Sequence, residues 1–489
     1  MTDAEFTAWL KEQSSLRCIL VEAVASVSGV DTTRYMSSLG YTTSPTDTPA
    51  NQYYTSIITG GIEFSEKISQ STASGLQFGD IEISNADGEL DGWLDDIWVN
   101  KAITVYIGDA GWPRADFRVI FSGITSDIDT RSRNVLNLKI RDKLQRLNKP
   151  LTDTKLGGAS SNADRLIPLT FGEVFNVRPL LVNSATHEYQ YHNAAVEDII
   201  EARDNGVPIT ITKDIANGKL TLTAQPDGEI TVSVQGDKPT TYDKTASKII
   251  QRMVLDYGHT GSQFIAGDLD ASNLSAFDTA NPQTIGFYVN ERTTVFTAIQ
   301  KIASSVGAQV VMSREGLLQL IKIELPATGP VMDVTANQML ENKLEIIARI
   351  PVVASVKIGY CENYTVQQNL QTGILEEHKD LFADKWITET DTDATTATNY
   401  DLSDEPNQKD TKLVIKSEAA TEATRLLTLN KTQRTIYQFV GFAEMFDLRL
   451  GDTVTLTHDR FGLSGGKNGM VVELRPNWNT NMITVGVFL

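Results

Sequence analysis

Cysteine is almost missing from this chain: Cys18 and Cys361 are the only two in 489 residues. Two thiols cannot build the disulfide framework that staples small secreted domains, so both are expected to be free and buried. Long apolar runs are missing too, and no segment approaches the roughly 20 apolar residues a helix needs to cross a bilayer. The opening Thr2-Asp3-Ala4-Glu5 has neither the basic nor the apolar part of a signal peptide. Synthesis and folding in a cytoplasm, with no stable membrane insertion, is the expectation. Positive charge is in deficit: 43 Lys and Arg stand against 62 Asp and Glu, a formal net charge of −19. This balance argues against holding nucleic acid, whose phosphates must be neutralised by cations. It suits ordinary solubility, or a surface past which DNA slides without sticking.

What is present is a folded, multidomain composition. Hydrophobic residues at 41% and aromatics at 8% exclude global disorder, and the length exceeds what one core supports. Residues 2–13 read as a short amphipathic helix capped by Thr2 or Asp3, with Phe6, Trp9 and Leu10 on one face. Strand-like runs follow at 62–68, 76–84, 103–107, 117–121 and 135–140, behind a polar loop at 35–54, and a basic helical segment over 139–148 closes the block. Residues 151–164 read as a linker. Beyond it, a stretch starting at Ile167 leads to the reversal Asp204-Asn205-Gly206. A meander is expected over 209–212, 219–224 and 229–234, where apolar residues alternate with polar ones. Helices are expected over 245–257 and from Thr293 or Thr294 to Gly307, the second followed by a hairpin through Arg314-Glu315-Gly316. Strands at 354–360, 364–370 and 435–442, helices near Leu381 and over 417–429, and a final three-strand meander complete the chain.

The search for chemistry returns little. The acidic run Asp87, Glu89, Asp91 has calcium-loop spacing with Gly92 at the sharp turn, but Trp98 stands where the closing Glu belongs. A strand-to-helix turn capped by Asn85 or Asp87, with Leu90, Leu94 and Trp98 inward, is the expected alternative. His187 and His192 are five apart and would point to opposite sides of a strand, which is no zinc pair. Gly462 to Asn468 resembles a phosphate loop with one residue too few and Asn468 in place of the metal-holding Ser or Thr, so a hairpin loop is expected. Glycosidase carboxylates cannot be found by spacing alone, and no nucleophile elbow occurs. No catalytic residue, cofactor-binding residue or metal ligand is assigned, and no cofactor is expected.

Several stretches taken in order resemble the tail-tip (baseplate) hub proteins of long-tailed bacteriophages. They are IPLTFGEVFNVRPLLV, HEYQYHNAAVEDIIEARDNGVPI, TVFTAIQKIASSVGAQVVMSREGLLQLIKI, VKIGYCENYTVQ and LRLGDTVTLTHDRFGLSGGKNGMVVEL. Together they span most of residues 60–489. The resemblance implies a β-rich α+β, multidomain fold with two tail-tube-like β-barrels and a central α/β region. Its domains would be 1–150, an N-terminal barrel with a leading helix; 151–345, a central region with a small meander (about 205–236) and a helix-hairpin unit; and 346–489, a C-terminal barrel with helices. It further implies a non-enzymatic homotrimer at the virion tail tip, touching a distal tail or tail tube protein, the tape measure protein and a central fibre, with DNA only in passage. Many hubs continue into a fibre, peptidase or muralytic domain, so a chain without one leaves penetration and receptor binding to other proteins. The alternatives are a distal tail protein or a carbohydrate-binding tail protein using Trp112 or Trp478.

Overall fold

Alternating apolar residues fold most of this chain into strands, and the computed structural model describes all of it except residues 13–14, 61, 70–77, 327–328, 369, 373, 375, 404 and 479. The chain forms two compact units, each built from separated segments: Met1–Arg146, Val311–Ile350 and Arg434–Leu489 in one, Leu147–Val310 and Pro351–Gln433 in the other. This grouping cuts across the consecutive segments 1–150, 151–345 and 346–489, because strand pairing gathers both ends of the chain into the first unit.

In the first unit, the amino-terminal strands run antiparallel from Phe78–Ser84 through Val135–Arg141, Arg118–Ser132, Ala102–Asp109 and Arg17–Val27 to Val30–Ser37. The carboxy-terminal strands run from Met339–Ile350 through Arg434–Phe442 and Met482–Phe488 to Lys467–Asn477. A broken strand, Glu63–Phe64 and Glu66–Lys67, joins the two sets. Asn477 pairs with Glu63, Leu474 with Glu66 and Glu473 with Lys67, while Glu63 and Phe64 pair on their other edge with Asp80 and Gly79. The sheet is therefore continuous across residues some 400 positions apart in sequence. Its core is also shared: Ile19, Val21, Phe121 and Leu138 belong to one apolar cluster with Val454, Leu474, Val485 and Val487. Each such side chain contributes roughly 1.5–3 kcal/mol when fully buried.

The amino-terminal helix Asp3–Leu10 starts at a Thr2 cap whose side chain and the Glu5 carboxylate bond each other's backbone N–H. Phe6, Trp9 and Leu10 are buried, and Trp9 Nε1 donates to Asp109 Oδ2 at 3.2 Å while Thr7 Oγ1 donates to Asp447 Oδ2 at 2.6 Å. The helix thus ties both strand sets together. Residues 35–54 are more than a polar loop. Tyr41 and Tyr54 are buried with Cys18, Leu20 and Phe117 in a second cluster on the opposite face of the amino-terminal strands.

The second unit contains a five-stranded sheet, in the order Val207–Pro208, Val196–Asp204, Ile230–Asp237, Leu169–Val177, Gly286–Val289. A four-stranded sheet, ordered Leu180–Asn183, Glu188–Gln190, Lys219–Leu222, Ile211–Asp214, shares its core, which includes Val174, Tyr191, Leu220 and Val234. Gly172 and Gly286 face each other across Leu169–Val177 and Gly286–Val289. A Cβ on Gly172 would stand 1.9 Å from the Ile285 carbonyl oxygen, and Gly172 has φ +63°, so both space and conformation require glycine. Helices Ala246–Asp256 and Val295–Ser305 match the sequence reading, the latter capped by Thr294. Helices Ala271–Ala280 and Ala394–Tyr400 had no strong apolar stripe to announce them. Residues 351–433 add the sheet Ile387–Thr392, Ser355–Tyr360, Gln408–Asp410 under helix Lys416–Asn430. Lys412 joins this segment to the rest of its unit: its Nζ lies 5.6, 5.4 and 5.4 Å from the rings of Phe287, Tyr364 and Trp386 and pairs with the Glu362 carboxylate.

Three local expectations are corrected. Residues 139–148 are helical only in part: Val135–Arg141 is a strand whose alternating Leu136, Leu138 and Ile140 are buried, and the helix is confined to the 3-10 turn Lys143–Leu147. The meander over 209–234 is divided, because Ile230–Asp237 leaves the small sheet to fill the centre of the five-stranded one. Residues 364–370 do not form a strand; Tyr364 is committed through its hydroxyl, which accepts from Tyr288 N and donates to Gly286 O. Residues 76–77 of the strand expected at 76–84 lie outside the described residues, and the remainder is the strand Phe78–Ser84.

Candidate functional site

The joint between the two strand sets is where charge is buried most deliberately. Along 62–68 the pleat places Ile62, Phe64, Glu66 and Ile68 on one buried face. A carboxylate in that row needs a partner, since an isolated buried charge is strongly unfavourable. Arg314, on the hairpin turn after Ala308–Met312, supplies it: Nε donates to Glu66 Oε2 at 2.9 Å. The same guanidinium donates through Nη1 to the Phe446 carbonyl at 2.6 Å and through Nη2 to the Leu448 carbonyl at 3.0 Å. One side chain thus bonds the joining strand and the carboxy-terminal set together. Burial pushes the Glu66 carboxyl above its ordinary range, and the Arg314 charge offsets part of that rise.

A second carboxylate lies in the same joint. Glu473, 1% exposed, is paired with Lys67 across the strands at 3.0 Å and with Arg475 on its own strand. Beside Glu66 and Arg314, a cavity of about 770 Å³ is lined also by Phe6, Phe117, Phe446 and Trp478. The joint contains neutralised carboxylates and aromatic rings. Such an arrangement holds strands in register.

Sequence reading passed over Glu66 and Arg314. A signal did exist: the alternation Ile62, Phe64, Ile68 leaves Glu66 on an apolar face, and a charge there announces a buried partner. Which cation answers could not be read, because Arg314 lies 248 positions away.

His187 and His192 flank the short strand Glu188–Gln190 and lie outside it. His187 occupies a turn with φ +54°, and His192 is completely buried. His192 Nδ1 accepts the Thr170 N–H at 3.1 Å, which fixes the proton on Nε2, facing Asp237 Oδ1 at 3.2 Å. Asp237 also accepts from Arg252 Nε at 2.7 Å and Tyr257 OH at 2.8 Å. Burial would raise the Asp237 carboxyl, but hydrogen bonds from His192 and Arg252 outweigh it and leave the group below its ordinary value. Thr170 Oγ1, 3.4 Å from His192 Nδ1, completes a hydroxyl–imidazole–carboxylate row. It cannot act as a nucleophile: Thr170 is fully buried and the imidazole nitrogen is already occupied by the backbone. The network is structural. His192→Ala is expected to lower unfolding stability by about 2–4 kcal/mol, read from urea denaturation, because Thr170 N–H and Asp237 lose a buried partner and a cavity opens.

The other residues singled out from sequence fall into structural roles. Asn85 Oδ1 accepts from Leu90 N at 3.0 Å and its amide donates to Asp91 Oδ1 at 2.7 Å, so the acidic run is a capped turn into the 3-10 helix Asp91–Leu94. Trp98 is buried as expected, whereas Leu94 is exposed. Among the described residues, no group of three or more His, Cys, Asp or Glu is placed to hold a metal ion. Gly462 to Asn468 forms the loop between the paired strands Thr453–Thr457 and Lys467–Asn477. Cys18 is buried but Cys361 is only half-buried; both are free, and burial pushes each thiol up to about 11. Trp478 is buried against Phe446 at 4.2 Å and presents no open face to a sugar, while Trp112 is half-buried against Trp9 at 4.6 Å. No described helix is long and apolar enough to cross a membrane.

No family model and no curated protein matches the sequence. Among solved structures, the chain is similar to the 43 kDa tail protein of prophage MuSo2 from Shewanella oneidensis. That match has 9% identity and a TM-score of 0.41, covering 96% of this chain and 98% of that one. It is similar to a tail protein from Neisseria meningitidis MC58 at 10% identity, with a TM-score of 0.39 and coverage of 97% and 96%. It is also similar to prophage tail protein gp18 from Listeria monocytogenes EGD-e at 9% identity, with a TM-score of 0.40 and coverage of 90% and 92%.

Proposed function

We propose that this chain is a structural, non-enzymatic subunit of a bacteriophage tail tip: the hub that joins the sixfold tail tube or distal tail ring to threefold proteins beneath it. One observation carries the reading. Two antiparallel strand sets, drawn from opposite ends of the chain, are locked into one sheet and one core through 63–67 and the Glu66–Arg314 pair. A threefold assembly meets a sixfold ring only if every subunit presents two β elements at a fixed separation. A shared core supplies that fixed separation; a flexible linker between independent domains would not. In this reading the two strand sets of the first unit are the two tube-like elements. The net charge of −19 then suits a channel that DNA crosses without binding. The tape measure protein and a central fibre are the further partners.

The purified chain is expected to sediment at three times its 53.7 kDa mass, or to trimerise on assembly. A particle reconstruction should show three copies placing six β elements around the axis. A single copy, or six copies with one element each in the ring, would overturn the assignment.

A further inference from the structure

We propose that residues 87–99, together with Val30, form a docking surface for a different protein of the same particle, one whose facing surface carries lysine or arginine around an aliphatic-accepting groove. The inference rests on the structural assignment above and names a contact within it. Four aliphatic side chains stand out of the amino-terminal strands at one end: Val30 is 67% exposed, Leu94 43%, Ile97 58% and Val99 52%. They are neighbours through the backbone. Ile97 forms an antiparallel bridge with Ser26, and the next residue, Val27, pairs with Val30.

The surface is held rigid from beneath. Trp98 is buried between the two outward residues, its Nε1 donating to the Trp93 carbonyl at 2.8 Å, and its own carbonyl accepts from Thr125 Oγ1. Arg34 lies over the Trp93 ring and pairs with Asp96 at 2.9 Å, and Asn85 braces the turn before it. A segment anchored this firmly loses little conformational entropy on binding. The aliphatic residues are out because the loop's alternation is fixed, with Trp98 in and Ile97 and Val99 out. Exposed apolar side chains clustered in this way mark an interaction surface when polar groups rim them.

The rim decides the partner. Asp31 and Asp96 are neutralised by Lys101 and Arg34, but Asp87, Glu89, Asp91 and Asp95 have no ion pair among the described residues. Four carboxylates without an ion pair, in the same 87–99 segment as three of the aliphatic side chains, select a basic, apolar-accepting face. A second copy meeting this surface through the same residues would set one acidic rim against another. Charge complementarity therefore points to a different, basic neighbour.

The test uses assembled particles carrying Val99→p-benzoylphenylalanine. After irradiation, a crosslink is expected to a different chain, in a segment containing Lys or Arg, and its yield should fall as salt rises. Asp87→Asn, Glu89→Gln and Asp95→Asn combined should lower that yield about tenfold without changing the thermal midpoint of the free chain. A crosslink to another copy of this chain, to an acidic segment, or to nothing would overturn the docking proposal while leaving the hub assignment standing. Particles that do not contain this chain at all would overturn both.

Discussion

Glu362→Gln is expected to destabilise the protein by about 3–5 kcal/mol at neutral pH, the cost of leaving a buried cation without its counterion. Lys412 Nζ is enclosed by the rings of Phe287, Tyr364 and Trp386 and pairs with Glu362, whose side chain is 8% exposed. Burial lowers the Lys412 pKa, and the Glu362 charge opposes that fall. The aromatic faces attract the ammonium but cannot replace a full negative charge. Without Glu362 the folded-state pKa drops further below the unfolded value. Between those two values the unfolded chain binds more protons than the folded one, so stability rises with pH. The deficit of the variant should therefore shrink as pH climbs from 7 toward about 10. Glu362→Gln combined with Lys412→Met removes both charges and should recover most of the loss. Urea midpoints across this pH range decide the matter: a deficit that ignores pH, or a double variant no better than the single, would show that the pair is not the cause.

Arg314→Met should cost a similar amount, about 3–5 kcal/mol, by stranding Glu66 and two carbonyl oxygens at the joint of the two strand sets. The pH dependence runs the other way. Burial raises the folded-state pKa of Glu66 above its ordinary value, so its favourable contribution is present at low pH and lost as pH rises through that folded value. Removing Arg314 raises the folded value again. The deficit should accordingly be larger at pH 7.5 than at pH 5. Glu66→Gln in the Arg314→Met background should return part of the stability at pH 7.5 and little at pH 5. Because Arg314 bonds both the joining strand and the Phe446 and Leu448 carbonyls, the variant should also lower assembly into the proposed trimer, measured by sedimentation at equal folded fraction. Full assembly by a folded Arg314→Met protein would separate this bond from the proposed ring geometry.

The elements that could be read from the sequence were those stabilised by near neighbours. Thr2 caps its helix with Glu5 three residues on, and Thr294 caps Val295–Ser305 by accepting from Thr297 N. The reversal after Asp204 is present with Asn205 at φ +43° and Gly206 at φ +86°. The final meander pairs as its alternation requires. Misreadings arose where a local pattern admitted two outcomes. The basic run over 139–148 suits a helix by composition, yet Leu136, Leu138 and Ile140 match a pleat once Phe78–Ser84 and Arg118–Ser132 flank them.

By itself the sequence determined that this is a β-rich, acidic chain with two scarce thiols, its helices and turns placed by caps, glycines and apolar spacing. Only the tertiary structure decided that 62–68 splices opposite ends of the chain into one sheet. It also decided that Glu66 meets Arg314, that Lys412 sits among three rings against Glu362, and that His192 bridges Thr170 and Asp237. The physical reason is range. Caps and turns are satisfied within a few residues, so their chemistry is written consecutively. A buried charge states only that it needs a counterion, and which one arrives depends on how strand edges hundreds of residues apart come to share a core.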